Sequence, residues 1–260
     1  MCLLVLAWRA HPRYRLVVAA NRDEFHDRAA APLAPWPPPA QILAGRDLRA
    51  GGTWLALDRA RRFGVVTNYR EAQRPRAGAP SRGDLIPQFL TGGASAAEFF
   101  VRLESKAAAY SGFNLLLADR EALWYGSNRT APFARQLPPG VHGLSNELLD
   151  TPWPKLLRVR QTFEAWLRKS PAQSTAALFA MLADRTQSAP DSALPESGLP
   201  PELERVLSAP FVLHPVYGTR CSTVLLLDEA GAGSFIERRF DANGAQSGES
   251  EYRLNPGEWP

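Results

Sequence analysis

The apolar residues of this chain come in short runs separated by turns, and that spacing constrains its fold more than any other feature. Residues 2–8 form one apolar run of β-forming side chains. A turn around His11 and Pro12 follows, and residues 14–20 form a second run. Two such runs across a short turn read as an antiparallel hairpin. Residues 51–57 and 62–68 repeat the pattern, with 58–61 as the turn between them. Residues 113–118 and 122–125 do so around Asp119-Arg120-Glu121, and residues 141–145 make a short strand. Residues 222–227 and 234–239 flank a Gly-Ala-Gly turn and read as a last hairpin.

Helical spacing appears between these sets. Ser95-Ala96-Ala97-Glu98 is a capping-box sequence, and Phe99, Phe100, Leu103 and Ala107 then share a face. Thr151-Pro152 is expected to open a second helix carrying Leu156, Val159, Phe163, Trp166 and Leu167. Ser170-Pro171 is expected to open a third with Leu178, Phe179 and Leu182, and residues 202–207 make a short fourth. Strands, helix, strands, helices, strands is the order of an α+β fold with two mainly antiparallel sheets and segregated helices, not of a parallel βαβ fold. It is compatible with a four-layer αββα sandwich. The 260 residues are expected to form a single domain, 1–260. Within it, the proline-rich stretch 31–40 reads as an extended surface loop. The Ser-, Pro-, Ala- and Gly-rich stretch 187–201 reads as a flexible loop.

Composition removes several function classes. Net charge is +4, and the arginines that supply it are scattered, not striped with aromatics, so nucleic acid is not an expected partner. Two cysteines do not make a secreted disulfide scaffold, which points to a reducing, cytoplasmic setting. The opening apolar run has its basic residues, Arg9, Arg13 and Arg15, after it, the reverse of a signal peptide. It is also far shorter than the ~20 residues of a membrane-spanning helix, so integral membrane association is not expected. No GxSxG, P-loop, HExxH or CxxC sequence occurs, and His11, His26, His142 and His214 lack metal-ligand spacing. Neither a metal nor a cofactor is expected.

Chemistry-bearing residues collect at strand ends. Cys2 follows the initiator methionine, and its removal would leave a thiol and a free α-amine on one residue. The amine, with a pKa of ~7.7–8.0, can act as base for a thiol of ~8.5, which is nucleophile activation of the N-terminal kind. A small buried hydrophobe is the other reading of Cys2. Asn21-Arg22-Asp23-Glu24 ends the second strand, where a hairpin returns it beside the start of the first. Asp23 could orient the amine there and Arg22 could lower the thiol pKa, or the tetrad could be a surface turn closed by an ion pair. Gly51-Gly52-Thr53-Trp54 suggests a bulge, a close approach to a ligand, or a plain strand entry. Asn68, after Thr67, and Asn146, after Gly143-Leu144-Ser145, end strands and could donate to an oxyanion or serve as turn residues. Arg220, in Tyr217-Gly218-Thr219-Arg220-Cys221-Ser222-Thr223, could hold a carboxylate, and Cys221 reads as core filler.

Taken in order with Ser81-Arg82-Gly83, these segments resemble the NRDE family, the transport and Golgi organisation protein 2-like proteins. The resemblance implies an αββα N-terminal-nucleophile (Ntn) hydrolase fold. It also invites comparison with cysteine acylases such as choloylglycine hydrolases and penicillin V acylases. By motif position it implies Cys2, Asp23, Asn68, Asn146 and Arg220 as catalytic residues, and Asn21, Arg22, Glu24, Gly52, Thr53 and Trp54 as ligand-binding ones. Arg22 departs from the acylase pattern, which separates the early arginine from the aspartate. Two functions follow as expectations. One is hydrolysis of a small amide or thioester by Cys2. The other is non-catalytic carriage of haem or acyl-CoA in lipid or haem trafficking, with Arg22 or Arg220 meeting the ligand's acidic groups.

Overall fold

The computed structural model describes residues 3–71, 78–169, 174–188 and 198–260. By its internal contacts the chain divides into two compact units. The first comprises Met1–Asp27, Pro139–Ser145 and Leu149–Glu258, and the second Arg28–Pro138, Asn146–Leu148 and Trp259–Pro260.

Strands are numbered along the chain: β1 (Leu3–Trp8), β2 (Tyr14–Phe25), β3 (Ala30–Pro35), β4 (Ile42–Asp47), β5 (Leu55–Asp58), β6 (Phe63–Asn68), β7 (Phe113–Ala118), β8 (Leu123–Ser127), β9 (Ala134–Leu137), β10 (Gly140–Leu144), β11 (Tyr217–Asp228), β12 (Gly233–Phe240) and β13 (Gln246–Leu254). Helices are α1 (Leu85–Thr91), α2 (Ala96–Glu104), α3 (Pro154–Arg168), α4 (Ala176–Leu182) and α5 (Pro201–Leu207).

The first unit is an antiparallel sheet in the order β10-β1-β2-β11-β12-β13. Alternation sends Leu3, Val5 and Ala7 of β1 to one face with Val17 and Ala19 of β2, Val224 and Leu226 of β11, and Ile236 of β12. Onto that face pack Leu156, Val159, Phe163 and Trp166 of α3 and Leu178, Phe179 and Leu182 of α4. The α3 residues recur every three or four positions and make the stripe that buries the helix. Leu4 and Leu6, on the other face of β1, are also fully buried.

The second unit is an antiparallel meander, β3 to β9 in sequence order. Its helix-bearing face joins Ile42, Ala44, Ala56, Val66, Phe113, Leu115 and Leu117 to Leu85, Ile86 and Phe89 of α1 and Phe100 and Leu103 of α2. The capping box read at Ser95 and Glu98 is present in both directions, and it starts α2. Arg62 closes the end of α1. It pairs with buried Asp58 at 2.7 Å and donates to the Gly92 carbonyl at 2.8 Å and to the Phe89, Leu90 and Ala94 carbonyls. Those helix-end carbonyls have no intrahelical donor.

Several expectations change. The proline-rich stretch 31–40 is not wholly a loop, because Ala30–Pro35 forms β3 against β4. It is an edge strand, where Pro32 and Pro35 have no outer neighbour to donate to. α3 starts at Pro154 rather than at Thr151-Pro152, since Pro154 supplies the first-turn residue whose missing N–H costs nothing. The third helix was placed at Ser170-Pro171, which lies outside the described residues; α4 begins at Ala176. Of the stretch 187–201, residues 189–197 lie outside the described residues, Ser188 is buried, and Pro201 begins α5.

Candidate functional site

In the first unit, β2 runs on through the polar tetrad to Phe25, so Asn21, Arg22 and Asp23 are strand residues, each at most 4% exposed. Leu3 pairs with Asn21 in register, so the chain enters β1 opposite the tetrad. Pairing with β11 sets Asn21 opposite Ser222 and Asp23 opposite Thr219, while Arg22 stands opposite Cys221. Alternation therefore separates the tetrad by face. Asn21 and Asp23 share the face that carries the helices, and Arg22 lies on the other with Cys221 and, one strand further, Glu237.

Asn21 is committed to holding the fold. Its Nδ2 donates to the carbonyls of Leu182 and Pro210, each at 2.9 Å, and its Oδ1 accepts from Ser222 at 2.6 Å. Both amide N–H groups are thus directed at backbone carbonyls, and Asn21 ties β2 to the end of α4. Asp23 Oδ1 accepts a 2.7 Å bond from the Thr219 hydroxyl, which itself accepts from the Val212 amide at 2.9 Å. Glu24 accepts from the Phe25 amide and lies 3.8 Å from Arg22 Nη2.

Arg220 is the extra residue at a β-bulge, where the β2–β11 register shifts between Thr219 and Cys221. Nη1 donates to His26 Nδ1 at 2.8 Å, and His26 Nε2 lies 3.0 Å from the His214 carbonyl. These partners assign His26 as the Nε2–H tautomer, donating to the carbonyl and accepting from the guanidinium. His26 is half-buried and orients Arg220. Phe25 and Tyr217 meet edge to face beside it at 5.3 Å, and Phe25 and Val216 are exposed. The Cys221 thiol is pushed well above the ordinary thiol range by burial and by Glu237, against the opposing effect of Arg22. It stays protonated, as a core-filling role requires.

In the second unit, Asn68 ends β6 and Asn146 follows β10. Asn146 Nδ2 donates to the Asn68 carbonyl at 3.1 Å, and the Asn146 carbonyl accepts from the Arg70 amide at 2.6 Å. The structure thus brings the two asparagines together. Asn68 is exposed, and its side-chain amide makes no hydrogen bond among the described residues. Asn114 was missed in the sequence. Fully buried in β7, it accepts from the Tyr125 hydroxyl at 2.8 Å and donates to Thr67 Oγ1 and to the Glu147 carbonyl, which fixes the turn holding Asn146. Its one signal was a lone amide inside the apolar run Phe-Asn-Leu-Leu-Leu.

Gly52, Thr53 and Trp54 are engaged within their own unit. A Cβ on Gly52 would lie 2.5 Å from the Gly83 backbone, and Thr53 N donates to the Gly83 carbonyl at 3.1 Å. The Gly-Gly and Ser-Arg-Gly motifs are therefore two sides of one close backbone approach. Trp54 lies over Gly45, where a Cβ would meet the indole at 2.4 Å. Cys2 lies outside the described residues. Among the described residues there is no group of three or more His, Cys, Asp or Glu able to hold a metal, and no helix long and apolar enough to cross a membrane.

Two antiparallel sheets bearing helices, with polar strand ends, define an α+β protein. Its fold is that of the Ntn hydrolases. A penicillin V acylase from Agrobacterium tumefaciens aligns with a TM-score of 0.50 at 13% identity, covering 92% of this chain and 83% of that one, which is a likeness of fold alone. The sequence is 34% identical over 257 residues to the Transport and Golgi organization 2 homolog of Mus musculus and 35% to that of Bos taurus, with 92% of each chain covered. It is 28% identical to the Drosophila melanogaster protein. Residues 1–242 match the family model for Transport and Golgi organisation 2, and the chain belongs to that family.

Proposed function

We propose that the protein is an N-terminal-cysteine hydrolase of a small amide or thioester. The supporting observation is the buried polar end of β2, Asn21 to Asp23, opposite the residue that follows Cys2. Arg22 and Asp23 are charged groups held away from water at a strand end, with Thr219 and Glu24 among their partners, and such buried charge clusters mark candidate functional sites. In this reading the Cys2 thiolate attacks the acyl carbonyl and the α-amine takes the thiol proton, then passes it to the leaving amine or thiol. Asp23 fixes the amine, and Arg220, aimed by His26, meets an acidic group of the substrate. Water then cleaves the acyl-cysteine. Turnover of a panel of chromogenic amides and thioesters tests it. Wild type hydrolyses at least one of them and Cys2→Ala hydrolyses none, and equal rates for the two proteins would overturn the reading.

Carriage of haem or an acyl-CoA without turnover is the second reading. It is favoured by the exposed Phe25 and Val216 beside the Arg220 guanidinium, an apolar edge next to a cation. The relatives' names speak of transport and Golgi organisation, and of no ligand. This second reading predicts saturable binding of haem or acyl-CoA that Cys2→Ala retains. Calorimetry on both proteins separates the readings.

A further inference from the structure

The edges of the two sheets are not alike. An open edge offers a row of backbone donors and acceptors to any other strand, and proteins block such edges with prolines, short strands or a covering segment. β3 carries Pro32 and Pro35, and β9 is four residues long and runs into Pro138-Pro139. β10 is covered, since the Gly143 amide donates to Asp150 Oδ1 and the Gly143 carbonyl accepts from the Asp150 amide. β13 has none of these devices. It spans nine residues without a proline, and among the described residues its one strand partner is β12. The register shift with β12 falls at its Gln246 end, so residues 248–254 form an unbroken strand.

Charged side chains also keep edges apart when their signs agree, but on β13 the signs alternate. Glu249, Glu251 and Arg253 are exposed on one face of the strand. Glu249 is paired with Arg238 at 2.6 Å. Glu251 and Arg253 stand opposite Ile236 and Ser234 of β12, and neither makes an ion pair among the described residues. Two copies of β13 can pair antiparallel about a two-fold axis perpendicular to the sheet, which keeps each face on its own side and sets residues of like parity opposite each other. With the axis at Tyr252, Glu251 of each copy stands opposite Arg253 of the other, and the two Tyr252 side chains meet on the other face. Moving the axis one residue either way sets Glu251 against Glu251 or Arg253 against Arg253. Cross-strand pairs of unlike charge and of aromatic rings stabilise a sheet, and like charges directly opposite destabilise it, so the strand specifies one register with itself.

We propose that β13 is the docking edge for a second copy of this chain, joining two six-stranded sheets into one through paired Glu251 and Arg253. A lone strand pair is a small interface, so the association is reversible and concentration-dependent. Sedimentation velocity over micromolar to near-millimolar concentrations measures it. Wild type, Glu251→Arg, Arg253→Glu and the double variant carrying both changes are compared after their melting curves show each to be folded. Each single variant sets like charges opposite each other at both pairs, and its dimerisation should weaken about tenfold or more. The double variant exchanges the two signs and should dimerise as wild type does. An equimolar mixture of the two single variants should also recover the dimer, because every pair across a mixed interface is again of unlike sign. A wild type that stays monomeric throughout the range would overturn the proposal. So would a dimer that the single variants leave intact, or one that neither the double variant nor the mixture restores.

Discussion

Asp23 is a carboxylate removed from bulk water, and the Thr219 hydroxyl is one of the groups that stabilise it there. Thr219→Val keeps the shape and removes that donor, so it should destabilise the protein by about 1.5–3 kcal/mol, the range for a hydrogen bond to a charged group. Urea unfolding measures this, and a change under about 0.5 kcal/mol, the scatter of ordinary surface substitutions, would contradict it. Asp150 makes the corresponding case for pH. Burial alone would raise its carboxyl, but the bonds from His142 and the Gly143 amide and the charge of Arg160 outweigh burial and hold it below the ordinary carboxylate value. A lowered pKa stabilises the folded state above the unfolded value of ~3.9 and loses that contribution as pH falls through the folded value. Asp150→Asn should therefore be less stable than wild type at neutral pH, with the gap closing in acid. A gap that stays constant down to acid pH would contradict the assignment. Sequence marked Asp23 because four polar residues end an apolar run. Its partner was hidden because Thr219 lies 196 residues away and only the β2–β11 register unites them.

At the scale of elements, period and capping carried the information. The α3 stripe was legible from its spacing, and Phe163 is its fully buried centre. Phe163→Ala should cost about 3–5 kcal/mol by deleting packed volume, read as a fall in the urea midpoint with little change in slope. A loss under about 1 kcal/mol would mean that the helix packs otherwise. Arg62→Ala should cost a similar amount, about 3–5 kcal/mol, because it removes the guanidinium that pairs with buried Asp58 and serves the carbonyls at the end of α1. Elements whose chemistry argues against their structure were not legible. α1 carries Pro87, tolerated because it falls in the first turn. β3 is proline-rich because it is an edge. β13, Gln-Ser-Gly-Glu-Ser-Glu-Tyr-Arg-Leu, is mostly polar and exposed, so no apolar alternation announces it.

At the scale of the whole molecule, each unit pairs one antiparallel sheet with its own helices. The NRDE-type motifs are thus of two kinds. Some, such as Asn21 and the Gly52–Gly83 approach, hold the fold together; Asp23 and Asn146 are buried and hydrogen-bonded within their own units, while Asn68 is exposed and Arg220 half-buried. Everything catalytic rests on a free thiol and amine at Cys2, and intact-protein mass spectrometry after brief iodoacetamide treatment asks for both at once. The account predicts a chain lacking Met1 with a single adduct on Cys2, since Cys221 is buried with its thiol held protonated. A chain that retains Met1, or whose adduct is absent from Cys2, would contradict it.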